Sequence, residues 1–312
     1  MRILVSGASG FIGRSLTASL QAHGHEVVSA THRPPSPGEV GIDVGRRRLD
    51  MSRLDRVGLV DVDAVVHLAG APLLGRLTAR RRELVRSSRI TTGEVLARAM
   101  AAMEPRPSVY VTQSAVGYYG DTGEAEVDET FASGQGFLAS VCRAWEQAAS
   151  PAADAGIRVV ALRTGIVLGF GGGALRPQIP LFRLGLGGRL GSGRQYMSWI
   201  TLEDEVRAIS HALFEGALDG PVNATAPEPV RNDEFTRTLA RALGKSAPLK
   251  VPQLLLRIAL GEGAANEMLL SSQKVLPRRL VESGFEFRHP TLEDALTAIL
   301  GSRPKTNSLT GA

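Results

Sequence analysis

Three glycines close to the start, Gly7, Gly10 and Gly13, leave few folds open to this chain. They sit in Gly7-Ala8-Ser9-Gly10-Phe11-Ile12-Gly13. The apolar run Ile3-Leu4-Val5 precedes them, and a helical pattern through Leu16 and Leu20 follows until Gly24. A strand, a glycine turn and a helix in this order form the opening of a dinucleotide-binding βαβ unit. In that unit Gly7 allows the tight turn, Gly10 lets the backbone approach a pyrophosphate, and Gly13 allows close helix–strand packing. The helix N-terminus adds unpaired N–H groups and a positive dipole end. No Gly-Lys-Ser/Thr follows, which excludes a P-loop.

Further apolar strand-like runs come at Val27–Ala30, Ala64–Ala69, Val109–Gln113 and Arg158–Leu162. Helical stretches at Thr78–Met103 and Phe137–Ala149 lie between them. This alternation predicts an α/β fold, a doubly wound parallel (Rossmann) sheet with helices on both faces. Past residue 165 the rhythm changes to glycine-dense loops and short helices, among them Gln253–Leu260, Ala264–Leu270, Leu276–Glu282 and Thr291–Leu300. The expected organisation is a dinucleotide-binding domain over 1–165, its sheet completed by segments from 195–226. A smaller, mostly helical substrate-side region covers 166–302, and 303–312 is a frayed tail.

The second strand decides which dinucleotide is expected. An NAD site normally places an acid at its end to hold the ribose 2′-hydroxyl. No acid occurs between Glu26 and Glu39, and the chain reads Thr31-His32-Arg33 instead. Arg33 can pair with a 2′-phosphate, and Thr31 and His32 can donate to it. NADP(H) is therefore the expected cofactor. Ser9, Phe11 and Ile12 belong to the same glycine turn. Asp50 is either a partner for the adenine amino group or a helix-start carboxylate. Leu68, Ala69 and Gly70 end a strand where the crevice must lie.

The net charge of +5 invites a nucleic-acid reading, but 32 of the 36 basic residues are Arg and they form only short, distant clusters. No nucleic-acid partner is expected. No stretch approaches the length needed to span a membrane, and no membrane partner is expected. The first residues show no signal-peptide h-region, and one cysteine, Cys142, precludes an internal disulfide. A cytoplasmic location follows, with no metal site and a small-molecule substrate. A homodimer is compatible with the sequence.

Longer matches carry a resemblance. Gly7–Gly13, His67-Leu68-Ala69-Gly70 and Ser114-Ala115-x2-Tyr118-Tyr119-Gly120 resemble the extended short-chain dehydrogenase/reductase superfamily, which includes nucleotide-sugar epimerases and dehydratases. Phe137-Leu138-Ala139-x-Val141-Cys142-x2-Trp145-Glu146, Arg163-Thr164-Gly165 and Ser198-Trp199-Ile200 extend the match to its atypical, epimerase-like subgroup. The resemblance implies an oxidoreductase or epimerase-like enzyme. It places Gln113 and Arg89 at the cofactor, Ser114 as the active-site hydroxyl, and Tyr118 and Tyr119 on the loop over the nicotinamide. Arg163, Gln195, Trp199 and Asn223 fall on segments that line the sugar-nucleotide pocket in relatives.

The departure is as clear. Ordinary members use a Tyr-x3-Lys pair, in which the Lys lowers the Tyr pKa. No lysine precedes Lys245, and the only tyrosines are Tyr110, Tyr118, Tyr119 and Tyr196. The ordinary dyad is impossible here. Ser114, Tyr118 and Tyr119 are the remaining catalytic candidates, with Ser114 a donor to a carbonyl or alkoxide. A protein that binds cofactor without chemistry, a sensor or scaffold, is the alternative. Substrate and reaction direction do not follow from the sequence.

Overall fold

The computed structural model describes residues 1–301 apart from 34, 37–38, 44, 47, 50–61 and 74, with Arg48 by backbone only. Eight strands form the central sheet: β1 (Arg2–Ser6), β2 (Glu26–Thr31), β3 (Glu39–Asp43), β4 (Arg48–Leu49), β5 (Ala64–His67), β6 (Val109–Ala115), β7 (Arg158–Thr164) and β8 (Gly220–Ala224). Their order is β8-β7-β6-β5-β1-β2-β3-β4. All are parallel except β4, which pairs antiparallel with β3. The order reverses between β1 and β5, and a doubly wound sheet binds its ligand at that reversal, outside the strand carboxyl ends.

Strand periodicity explains the two faces. Ile3, Val5, Val109, Val111, Val160 and Leu162 point to one side, where helices α1 (Phe11–Ala22) and α4 (Leu202–Phe214) supply Leu16, Leu20, Ala208 and Ile209. Leu4, Val65 and Tyr110 point to the other. There α2 (Ala79–Ala101) contributes Val95, Leu96 and Met100, and α3 (Phe137–Gln147) packs beside it. Alternate residues of a strand face opposite ways, so every central strand reads as a continuous apolar run.

Helix α4 and strand β8 return to the main sheet, and Leu280 and Phe285 enter its core. A smaller core holds Leu168, Phe182, Trp199, Phe235, Leu239 and Leu296. The helix expected from Leu276 starts at Arg278, because Lys274–Val275 pairs as a strand with Glu126–Val127. Strand β3 went unanticipated: only Val40 and Ile42 alternate there, too short a period to read.

Candidate functional site

The glycine turn is shaped by contacts only glycine allows. Gly7 has φ +80°, and a Cβ there would lie 2.8 Å from Ala69 N and Leu68 C. A Cβ on Gly13 would lie 2.1 Å from Gly7 O. The turn is thus pressed against the end of β5 on one side and the first turn of α1 on the other. Helix α1 starts after Gly10 with no acid in its first turn, which leaves its N–H groups and dipole open to an anion. Ile12 packs on the core, and the Phe11 ring lies over the loop at Gly169–Gly173.

Beside this turn lies a cleft of about 460 Å³, lined by Gly7, Ser9, Arg14, Thr31, His32, Arg33 and Ala69 among others. The turn and the end of β2 therefore meet as expected. Arg33 is exposed at the rim, its backbone N–H donating to Thr31 Oγ1, and His32 Nε2 lies 3.3 Å from Thr92 Oγ1. Glu39 also lines the cleft, with Oε2 accepting from Ser36 N. Arg14 is a cationic wall that the glycine motif does not signal. At the end of β5, Arg89 donates to Ala71 O and its guanidinium lies where a Gly70 side chain would be. Asp50 lies outside the described residues.

Ser114, 3% exposed at the end of β6, donates to Glu146 Oε1 at 2.7 Å. Glu146 is in turn gripped by Arg163, with Nε–Oε1 and Nη2–Oε2 both at 2.9 Å. Arg163 Nη1 donates to Tyr119 Oη at 3.0 Å, and its guanidinium carbon lies 3.5 Å from the Tyr118 ring centre. Tyr119 Oη donates to Asn223 Oδ1 at 2.7 Å. Cys142, one helical turn before Glu146, meets the Ser114 hydroxyl and the Ala115 backbone, and burial pushes its thiol up to about 12. Helix α3 thus presents Cys142 and Glu146, one helical turn apart, to Ser114. Glu146, which in sequence stands out only within the Trp145-Glu146 match, is the partner that the fold gives Ser114.

A hydroxyl has one proton to donate. With that proton on Glu146 and the Cys142 thiol beside it, Ser114 is not the free donor that was expected. Tyr119 is buried, and burial raises its phenol to about 12, so it stays protonated and its proton serves Asn223. Tyr118 is half-buried against Arg163.

The residues expected along a substrate pocket sit inside the fold. Trp199 is fully buried, with Nε1 on Glu228 O, which leaves no ring face for stacking on a ligand. Asn223 is fully buried between Tyr119 and Leu276 O. Gln195 holds Leu190 O and Leu269 O together. Arg163 is the clamp on Glu146. Gln113 likewise turns inward and donates to Glu205 Oε1 at 2.8 Å.

Glu205, fully buried on α4, is pushed up to about 7 by desolvation. The hydrogen bonds agree with a neutral acid. Thr164 Oγ1 lies 2.7 Å from Gln113 Oε1 and 3.0 Å from Glu205 Oε1. Its single proton serves Gln113, so the second contact takes its proton from Glu205. From the C-terminal region, Glu267 caps α3 by accepting from Phe137 N and Leu138 N.

The comparisons fall on this framework. A family model described as "NAD dependent epimerase/dehydratase family" matches residues 3–224. The chain belongs to that family. A second model, "Domain of unknown function (DUF1731)", matches residues 251–299. Among relatives of the family, "Epimerase family protein Mb2239" of Mycobacterium bovis is 45% identical, covering 94% of this chain and 96% of the relative. The Homo sapiens "Epimerase family protein SDR39U1" is 38% identical over 96% of this chain and its own full length. A crystal structure of the human protein (isoform 2) with NADPH superposes with a TM-score of 0.88 at 36% identity, covering 97% of this chain and all of that one. Thermus thermophilus UDP-glucose 4-epimerase, 20% identical with a TM-score of 0.75 over 96% of this chain and 98% of that one, shares the fold.

Proposed function

We propose that this protein binds NADP(H) and is an oxidoreductase or epimerase-like enzyme of the short-chain type, acting on a small carbonyl, hydroxyl or nucleotide-sugar-like substrate. The observation that carries the reading is the cleft where the glycine turn meets Thr31-His32-Arg33. Gly7–Gly13 and the α1 N-terminus would hold the pyrophosphate, and Arg33 and Arg14 offer positive charge to a 2′-phosphate. The crystal structure of the human relative with NADPH supports the same choice. When bound, the cofactor supplies hydride transfer at its nicotinamide.

The chain's own residues would handle the proton. Ser114 accepts a hydrogen bond from a substrate hydroxyl while its proton moves toward Glu146, which Arg163 holds in place. In the reverse direction the same pair returns a proton to a nascent alkoxide, so Ser114 and Glu146 would form a relay in place of the missing dyad. The test of cofactor identity is titration with NADPH and NADH. Arg33→Ala should weaken NADPH by about 1.5–3 kcal/mol, the worth of a charge-assisted hydrogen bond, and barely change NADH. Equal losses for both would overturn the assignment. A second reading, cofactor binding without turnover, draws on the buried Cys142 thiol near the position a lysine would hold in relatives. Turnover of bound cofactor across a panel of carbonyl and nucleotide-sugar compounds separates the two.

A further inference from the structure

Helix Gln253–Leu260 has six apolar residues out of eight and none of the eight is buried. Burial of an apolar stripe is what ordinarily holds so short a helix in place. Leu254 is 67% exposed, and Leu255 and Ile258 are more than half exposed. The helix is held by polar contacts instead: Arg76 donates to Ile258 O and Ala259 O, and Arg257 Nε donates to Asn266 Oδ1.

A two-strand ladder links this helix to a second apolar stretch. Strand Leu249–Val251, immediately before it, pairs in parallel with Gly188–Leu190, which follows Leu184 and Leu186. Seven of the thirteen strongly exposed large apolar side chains among the described residues fall within 181–186 and 249–258. A patch of that kind marks an interaction surface. Charge says what kind. Residues 155–202 and 235–261 contain no Asp or Glu, and the first acid after the helix is the exposed Glu262. Arg183, Arg189, Lys245 and Lys250 are exposed on these stretches. Asp233, beside Gly193, is paired with Arg237. Two of the four lysines of this arginine-rich chain lie here.

We propose that this face docks on an anionic lipid surface. The leucines and Ile258 would enter the headgroup boundary while the surrounding cations meet lipid phosphates, the pattern of an interfacial amphipathic element. A second copy fits less well. A two-fold axis apposes the same patch from both partners, which here sets a patch whose exposed charges are mostly cationic against itself. Among the described residues no helix is long and apolar enough to cross a membrane, and peripheral docking needs none.

The experiment is co-sedimentation of the full chain with vesicles of phosphatidylcholine alone and of phosphatidylcholine mixed with phosphatidylglycerol. Binding to the mixed vesicles only, weakened by salt, is expected. Leu254→Ser with Leu255→Ser should lower partitioning at least about tenfold. Lys250→Ala should lower it about fivefold, the equivalent of one cation near an anionic leaflet. All three side chains are exposed, so the thermal midpoint should stay at the parent value and loss of fold is not confused with loss of docking. Absence of sedimentation, or equal sedimentation on both vesicles, overturns the proposal. A dimer that the paired leucine substitution dissociates, without vesicle binding, assigns the face to a second copy and overturns it as well.

Discussion

Replacing Glu205 by Gln isolates one buried titration. Burial raises this carboxyl from its ordinary 4.5 to about 7. The folded state holds the proton more tightly than the unfolded chain, so the contribution to stability is complete below about pH 4.5. It is lost as pH rises through about 7. The gap, at about 1.4 kcal/mol per pH unit, is worth about 3 kcal/mol. His67 works the other way. Burial beside Ser6 and Trp145 lowers it from 6.5 to about 4. Protons therefore favour the unfolded chain as pH falls below 6.5, and stability declines until about pH 4. Across the overlap the two slopes oppose and the parent profile is flattened. Glu205→Gln removes the first slope and keeps the second. Urea unfolding of both proteins at about pH 5 and about pH 9 should show the variant gaining roughly 2–3 kcal/mol on the parent at the higher pH. The amide also sets N–H groups where Oε2 has no hydrogen-bond partner, but that cost is independent of pH and cancels in the comparison. Parallel profiles would refute both the buried neutral acid and the Gln113–Thr164–Glu205 hydrogen-bond assignment.

Three other outcomes are expected. Arg163→Met should destabilise by about 3–5 kcal/mol, because it strands the Glu146 carboxylate; adding Glu146→Gln should recover more than about 1 kcal/mol of this in chemical denaturation, and strict additivity would deny the clamp. Tyr119→Phe should cost about 1–2 kcal/mol by the same assay, through the lost bonds to Asn223 and Arg163. Gly13→Ala, whose Cβ would meet Gly7 O at 2.1 Å, should lower NADPH affinity by at least about tenfold in fluorescence titration, as the strain of an overpacked contact of about 1–3 kcal/mol moves the turn; unchanged affinity would show that the turn does not shape the cofactor site.

By itself the sequence determined what depends on neighbours along the chain. The glycine spacing and the apolar runs of the central strands both act within a few residues. The parallel sheet and the dinucleotide cleft were therefore legible before any coordinates. So was the absence of the Tyr-x3-Lys dyad, which needs only a count of lysines. Tertiary structure alone decided the partners of the polar side chains. Ser114 and Glu146 are 32 residues apart, Tyr119 and Asn223 104, and Gln113 and Glu205 92. Nothing local marks such pairs. Arg163, Trp199 and Asn223 fall on segments that line a pocket in relatives, and residue type does not separate a ligand-binding polar group from a buried one. Only the packing shows that hydrogen bonds inside the fold already satisfy them, since burial without a partner would be too costly. The helix at 253–260 is the converse: its apolar pattern predicts burial, and only the assembled fold leaves that face without a neighbour.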